Sequence, residues 1–519
     1  MKKIVAAIIL VALSACMTGP NYKRPNVATP DKWHAPLQGG ETDDTQSLAQ
    51  WWQSFGDPTL DMLVARAIES NFDLRAAEAR VREARANQQI VNAALWPQLN
   101  ASGSYARTQS PEIDTPSAAG GSLTLTPKGI GVAGTGTPFG SNGPSVTVVP
   151  DLTGAGNSSV TIGTPRGTKI DRQADLFQGG FDASWELDIF GGNRRANEAS
   201  RADTAAATEN QRDVLVSLVA EVGRNYFELR SAQNSLEIAC KNIEIQADSL
   251  KLTQARFEAG LTNELDVQRA QAQLSSTQAT VPILETAISQ YIHRLGVLSG
   301  SEPATFAEEL TPVAALPAPP EEVPVGLPSD LLRRRPDIRR AERQLAAATA
   351  RIGVATSDLF PKFSLTGSLV SQSDSFSGLT GSNSFWSIGP GVRWPIFEGG
   401  RIRANIRVQN ARTEQALVGY EQTVMRSFED VENSLISFAK EQERYASLTD
   451  AVNANQRAVD IAKELYAQGL VDFLNVLDAE RALFLAEEQQ IRSRAAILTD
   501  LVALYKAVGG GWDAPEESN

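Results

Sequence analysis

Four segments of the chain alternate apolar and polar residues with a period of two, which is typical of β-strands with two unlike faces. In the clearest segment, Phe177, Phe181 and Trp185 alternate with Gln178 and Asp182. The predicted strands span residues 95–107, 177–190, 360–370 and 385–397. Their lengths, and the aromatic residues near their ends, fit strands that cross a bilayer with one polar face; a soluble β-sandwich is the alternative.

Long helices are predicted after each pair of strands. No proline occurs within residues 193–259 or 401–468, and Val, Leu and Ala recur there at helical spacing, which predicts coiled-coil-like helices about 100 Å long. Return helices are predicted at 262–298 and 471–508, and an approach helix at 60–94. At about 1.5 Å per residue, the first return helix and the approach helix match one long helix if they stack end to end.

The chain carries the same order of elements twice. The segment from Asn71 to Glu78 matches the segment from Arg335 to Glu342, and residues 189–192 match residues 396–400. Each copy reads helix, strand, strand, long helix, glycine turn and helix, and a proline-rich linker joins the copies.

Four strands cannot close a barrel, and an open sheet edge in lipid leaves backbone groups unpaired. The chain is therefore expected to form oligomers. Two copies would give eight strands, whose interior the side chains would fill, whereas three copies would give twelve strands around a lumen. We favour three copies.

The N-terminus predicts export and lipid attachment. Residues 1–15 have the basic start, apolar run and small-residue end of an export signal. Cys16 directly follows Leu13-Ser14-Ala15, which resembles the bacterial lipobox and predicts a lipid anchor on Cys16; a plain secretory signal is the alternative. Residue 17 is Met and not the Asp of an inner-membrane retention signal, so the outer membrane is favoured. No later apolar run reaches 18 residues, so no membrane-spanning helix is predicted.

Charge and composition argue against other classes of protein. The formal net charge of −13 disfavours nucleic acid as a partner. His34 and His293 are the only histidines, and neither has a Cys or His at ligand spacing. We therefore expect no metal site, no cofactor other than the covalent lipid on Cys16, and no enzyme. Cys240 lacks a partner once Cys16 is lipidated, so we expect no disulfide and predict that Cys240 packs as a small apolar residue.

Several motifs together resemble those of TolC-like outer-membrane efflux factors, in the OprM-type lipoprotein branch. The motifs are Cys16 with residues 19–22, Trp51-Trp52 with Phe55 and Asp57-Pro58, residues 326–338 and residues 504–512. The resemblance covers essentially the whole mature chain. It implies a mainly α fold with a membrane β-barrel, in which three protomers of four strands each close a 12-stranded outer-membrane barrel on a long periplasmic α-helical barrel, with a mixed α/β equatorial belt.

On this resemblance the chain divides into six segments. They are the lipoprotein signal peptide at 1–15, the N-terminal equatorial segment at 16–59, the first repeat at 60–298, the equatorial linker at 299–328, the second repeat at 329–508 and the equatorial tail at 509–519. Residues 108–175 exceed the matching part of the second repeat, are rich in Gly, Ser, Thr and Pro, and are predicted to be a flexible external loop. Residues 129–134 fit a dinucleotide fingerprint, but no helix is predicted after them, so we expect no such site.

The resemblance implies a passive exit duct for a tripartite efflux pump of the resistance-nodulation-division (RND) type. Its partners would be two further copies of the chain, a periplasmic membrane-fusion adaptor, an inner-membrane transporter and outer-membrane lipid. Type I protein secretion through the same duct is the alternative. A structural periplasmic coiled-coil lipoprotein without a pore is more remote, because the strands have a polar face.

Two glycine turns are predicted at the periplasmic tip. Gly260 and Gly469 follow the long helices, and glycine tolerates the left-handed conformation of a helix C-terminus. Leu474, Asp478 and Arg481 follow the second turn at i, i+4 and i+7 and share one helix face. In the resembling family, the matching positions form the closed gate of the channel.

The first turn has partly matching residues. Leu265 holds the leucine position, and Arg269 stands where the second turn has Asp478, so we hypothesise an ion pair between Arg269 and Asp478. The alternative is that these are ordinary solvated charges, for which a surface pair is worth less than about 1 kcal/mol.

Overall fold

A computed structural model describes most of the chain as two compact units. It covers residues 17–35, 41–42, 48–109, 122–126, 129–133, 145–149, 159–163, 173–320, 323–380 and 384–512. The helical unit contains residues 188–362 and the described residues before 96 and after 392, and the sheet unit contains residues 96–187 and 363–392.

The helical unit contains ten α-helices among the described residues. They are α1 (Pro58–Ser70), α2 (Phe72–Ala93), α3 (Gly192–Glu258), α4 (Glu264–Gln278), α5 (Val281–Leu298), α6 (Ala307–Leu310), α7 (Leu331–Arg334), α8 (Pro336–Ser357), α9 (Arg401–Ala467) and α10 (Phe473–Ala507). The long helices α3 and α9 each have 67 residues, which corresponds to about 100 Å. A short parallel pair, β1 (Glu41–Thr42) with β8 (Val323–Pro324), also belongs to this unit.

Two of the predicted helices are each broken into two. The approach helix is interrupted at Asn71, whose side chain caps α2 by accepting from the Leu74 N–H at 3.0 Å. The first return helix ends at Gln278 and restarts at Val281. Pro282 explains the second break, because proline lacks the N–H that would bond back to the preceding turn and its ring clashes with that turn. The second return helix, α10, is continuous.

An aromatic core packs against α3 near the middle of that helix. Trp51 is 2% exposed and stacks on Tyr505 with the ring centroids 5.1 Å apart. Gly223 of α3 lies directly against this core, because a Cβ at position 223 would be 3.0 Å from the Trp51 ring and 3.4 Å from Val502. The glycine inside an otherwise strong helix-forming segment is therefore required by close packing.

The sheet unit contains two four-stranded sheets among the described residues. The strands are β2 (Gln98–Gln109), β3 (Ser122–Thr126), β4 (Gly129–Ala133), β5 (Ser145–Val149), β6 (Ser159–Gly163), β7 (Gln173–Leu187), β9 (Lys362–Ser373) and β10 (Ser384–Arg393). The long strands form one sheet in the order β10-β9-β7-β2, with β7 antiparallel to both β2 and β9.

The ends of the long strands differ from the predicted ends by a few residues. The strand predicted at 95–107 runs from Gln98 to Gln109, and the strand predicted at 360–370 runs from Lys362 to Ser373. The strand predicted at 177–190 begins earlier, at Gln173, and ends at Leu187. The strand predicted at 385–397 ends at Arg393, which agrees with Pro395 being unable to donate to a sheet ladder.

The short strands form a second sheet that the sequence analysis did not anticipate. Their order is β4-β3-β6-β5, and all neighbouring strands are antiparallel. The prediction that residues 108–175 are simply a flexible loop is therefore wrong for these four segments. Val and Ile do alternate with Thr, Ser and Gly in them, but the surrounding low-complexity sequence hid that signal.

The long sheet has one exposed apolar face and one polar face. Leu99, Phe181, Trp386 and Ile388 are between 52% and 75% exposed. On the polar face, the Asn100 amide donates to the Asp182 carboxylate at 3.0 Å. The hydroxyl oxygens of Ser368 and Ser387 are 2.8 Å apart on the same face. The period-2 pattern thus separates apolar from polar side chains as the sequence indicates.

Candidate functional site

The tip of the helical unit is formed by two turns of the same geometry, one after α3 and one after α9. Gly260 has a φ of 71° and Gly469 a φ of 77°. The Gly260 N–H donates to Phe257 O at 2.9 Å and the Leu261 N–H to Arg256 O at 2.8 Å. The second turn repeats both bonds, from 469 to 466 and from 470 to 465, each at 2.9 Å. These are the two hydrogen bonds of a Schellman motif, which satisfies the last carbonyls of a helix.

An apolar cluster joins the two turns. It consists of Leu250, Ala270, Leu274, Tyr466, Phe473, Val476 and Leu477, all buried. The guanidinium of Arg256, on α3, lies 4.6 Å from the Tyr466 ring centroid, and its Nη1 donates to the Ala467 carbonyl at 3.3 Å. The hairpin of α3 with α4 is therefore fastened to the hairpin of α9 with α10 within one protomer.

The predicted gate residues lie on a different face of α10 from the residues of this cluster. Leu474 is 42% exposed, and Asp478 and Arg481 are also exposed. In the described part of the chain, neither of these two charged side chains has an ion-pair partner within 4.0 Å. Phe473, Val476 and the other members of the cluster pack inside the protomer, whereas the face with Asp478 and Arg481 is exposed and available for contacts outside it.

The hypothesised pair between Arg269 and Asp478 is not present within the protomer. Arg269 instead contacts Asp266, one turn earlier on α4, with Nη1 and Oδ1 3.7 Å apart. Asp266 is held by the Thr262 hydroxyl at 2.6 Å and lies in the first turn of the helix, where a carboxylate is favoured. Leu265 is 54% exposed.

A buried carboxylate that the sequence pattern did not single out links the two hairpins. Glu480 is 3% exposed, accepts a hydrogen bond from the Ser249 hydroxyl at 2.8 Å and forms an ion pair with Lys463 at 2.9 Å. Glu480 thus contacts both long helices from α10. Heptad spacing could have found it, because position 480 lies four residues after buried Val476.

A polar seam on α3 continues this link away from the tip. Six buried residues recur on α3 at alternating spacings of four and three, as in a coiled coil, but five are polar: Ser235, Ala239, Asn242, Gln246, Ser249 and Thr253. The Asn242 amide donates to Glu487 of α10 at 3.1 Å. The two hairpins therefore meet through side-chain hydrogen bonds as well as through apolar packing.

The remaining sequence predictions concern the two cysteines, metal binding and membrane-spanning helices. Cys16 lies outside the described residues. Cys240 is exposed on α3, so the prediction that it packs as a small apolar residue is wrong. Within the described ranges, no group of three His, Cys, Asp or Glu side chains is placed to hold a metal ion. None of the described helices combines the length and the apolarity that a membrane crossing requires.

Comparison with known proteins identifies the family. Residues 63–128, 144–301 and 327–510 match the model of the outer membrane efflux protein family. The chain is 31% identical over 517 residues to the pyoverdine export outer membrane protein OpmQ of Pseudomonas aeruginosa, covering 100% of this chain and 98% of that protein. It is 30% identical over 512 residues to the solvent efflux pump outer membrane protein SrpC of Pseudomonas putida, covering 98% of each chain.

A solved structure supports the same assignment. The outer-membrane channel OprN superposes with a TM-score of 0.79 at 34% identity, over 96% of this chain and 100% of that one. The predicted combination of long helices with a four-stranded sheet is thus the fold of a known outer-membrane channel. The chain belongs to the outer membrane efflux protein family.

Proposed function

We propose that the protein is a homotrimeric outer-membrane channel that passively conducts compounds from the periplasm to the outside. The observation that carries the proposal is the long sheet, with its exposed apolar face and its two outer strands, β2 and β10, which have no further neighbour among the described residues. Three such sheets joined edge to edge give twelve strands, which close around a lumen lined by the polar face.

The channel acts as the exit duct of a tripartite pump of the RND type. The relatives support a role in efflux, since SrpC is named for a solvent pump and OpmQ for pyoverdine export. A periplasmic adaptor and an inner-membrane transporter are the proposed partners. At the tip, Leu261 and Leu470 are each 66% exposed directly after the turn glycines. These leucines offer apolar contacts to the helical hairpins of an adaptor.

The tip also holds the gate. Leu474, Asp478 and Arg481 share an exposed face of α10, separate from the buried cluster that fastens the hairpins. In a trimer each of these residues becomes a ring, so the leucines narrow the pore while the charged side chains pair between neighbouring protomers. Arg269 is half-exposed beside Asp266 and can take part in such a pair from the adjacent protomer.

Cys16 is proposed to carry the lipid anchor. The support comes from the next residue, since Met17 packs against Gly191, four residues after the end of β7. Acyl chains on residue 16 would therefore start close to the point where the chain leaves the membrane strands.

The trimer is tested by cross-linking. Purified protein in mild detergent is treated with a short amine-reactive cross-linker, and the products are resolved on a denaturing gel. The proposal predicts that the trimer is the largest abundant product at saturating reagent. A monomer or dimer as the end point would contradict it.

A further inference from the structure

The N-terminal segment, residues 17–24, is bound along the helical unit and contacts both repeats. The backbone N–H of Thr18 donates to the Phe190 carbonyl at 3.1 Å, and the Thr18 hydroxyl donates to the same carbonyl at 3.0 Å. Farther along, Arg24 forms an ion pair of 3.3 Å with Glu342 of α8. The segment therefore joins the start of α3, in the first repeat, to α8, in the second.

A buried arginine holds the beginning of this segment. Arg195, in the first turn of α3, is 1% exposed. Its guanidinium donates to the carbonyls of Thr18 at 3.1 Å and Gly19 at 3.3 Å, to the Asn21 side chain at 2.6 Å and to Glu198 at 2.7 Å. Burying a charge is costly unless hydrogen bonds replace water. Three of the four acceptors that do so here belong to the N-terminal segment.

Two glycines make room for the segment beside that arginine. A Cβ on Gly353 of α8 would be 2.8 Å from both the Arg195 Cγ and the Thr18 carbonyl oxygen. A Cβ on Gly191 would be 3.0 Å from the Met17 side chain. Any larger residue at either position would intrude on the segment or on the arginine. Glycine within a helix costs about 0.5–1 kcal/mol of stability relative to alanine. Gly353 therefore lowers the stability of α8 but leaves room for the N-terminal segment.

We propose that Arg195, Gly191 and Gly353 form a binding slot for residues 17–24, and that this slot, not the lipid anchor, fixes where the N-terminus lies on the protomer. In the described part of the chain, the contacts that define the slot are made by protein groups of residues 17–24 with α3 and α8, and we expect them to hold the segment without the lipid. If Cys16 carries the anchor, as proposed above, the slot also sets where the acyl chains start. Arg195 is then a positioning residue for the anchor.

Hydrogen–deuterium exchange of the purified full-length protein in detergent tests the slot. The amides of residues 17–24 are expected to exchange at least about tenfold faster in Arg195→Ala and in Gly353→Ala than in the wild type, while peptides from α9 keep their protection. The matched controls are Arg201→Ala, an exposed position on the same helix, and Gly419→Ala, where a Cβ would meet no atom within 4 Å. Both controls are expected to keep the segment protected.

A lipid-free variant separates the slot from the anchor. Cys16→Ser, exported with a cleavable secretory signal, is expected to keep residues 17–24 protected. Loss of protection in this variant alone would show that the anchor holds the segment and would overturn the proposal. Unchanged protection in Gly353→Ala would also overturn it, and this variant decides the matter if Arg195→Ala fails to fold. None of these results depends on channel conductance, so the slot and the proposed duct can fail separately.

Discussion

Asn71 and Arg335 occupy matching positions in the two repeats, and each donates a side-chain hydrogen bond to the last carbonyl of the helix that returns from the tip. The Asn71 amide donates to Leu298 at 2.8 Å, and the Arg335 guanidinium donates to Ala507 at 2.9 Å. Both residues directly precede a new helix. The return helix of each repeat therefore ends against the start of the helix that follows Asn71 or Arg335. The two helices stack end to end as inferred, but in the first repeat the stack continues with α2, from Phe72, and not with a helix that starts at residue 60.

Replacing Asn71 should destabilise the first of these junctions. Asn71 is 4% exposed and also caps α2, so Asn71→Ala removes a cap and leaves the Leu298 carbonyl without this donor. We expect a loss of about 1–3 kcal/mol in the free energy of unfolding, measured by denaturant titration of circular dichroism. The control Asn453→Ala, at an exposed position within α9, should change little. Equal stability of the two variants would contradict the role of Asn71.

Gly223→Ala distinguishes two opposite predictions for stability, one from the close packing around Gly223 and one from helix propensity. Propensity alone predicts that alanine stabilises α3 by up to about 1 kcal/mol. The Trp51 ring, 3.0 Å from the new Cβ, should turn this into a loss of about 1–3 kcal/mol. Thermal unfolding followed by circular dichroism distinguishes the two outcomes. Gly419→Ala serves as the control, since it should be neutral or stabilising.

Asp500 should make stability depend on pH. Burial, reinforced by the nearby Glu441 carboxylate, raises the pKa of Asp500 from 3.8 to about 6. The folded state thus binds a proton more tightly than the unfolded state, so the contribution of Asp500 to stability falls as pH rises from about 4 to about 6. Asp500→Asn should raise the unfolding temperature at pH 7 and leave it nearly unchanged at pH 4. Equal shifts at both pH values would show that ionisation is not the cause.

The charged gate residues should control conductance without affecting the fold. Asp478→Ala combined with Arg481→Ala removes the proposed pairing between protomers, so single-channel conductance in planar bilayers should rise severalfold. Both side chains are exposed in the protomer, so the unfolding temperature should stay within a few degrees of wild type. Lys251→Ala with Asp248→Ala, an exposed pair on α3, is the control and should leave conductance unchanged. Wild-type conductance in the gate variant would remove these residues from the gate.

Local sequence signals predicted the elements of the fold well. Period-2 alternation located the four long strands, and the absence of proline located α3 and α9 to within one residue at each end. Pro282 marks the break between α4 and α5 in the sequence, although the prediction gave one continuous helix there. The short sheet within residues 122–163 was missed because its strands are only five residues long and lie in low-complexity sequence.

The contacts between distant segments could not be read from the sequence. Glu480 meets Ser249 from 231 positions away, and Arg195 meets Thr18 from 177 positions away. In the sequence, Glu480 and Arg195 look like ordinary solvent-exposed charges on helices, and only the folded structure shows that both are buried. The interpretation of Asp478 and Arg481 rests on the family resemblance and on their exposure, because their proposed partners lie on another protomer.

Single-channel recording of the purified wild-type protein in planar bilayers tests the central claim most directly. A gated three-protomer duct predicts discrete but small and flickering conductance steps, because the gate at the tip is mostly closed without a partner. Absence of any steps, from protein that still cross-links as a trimer, would contradict a channel and leave the long helices with a structural role.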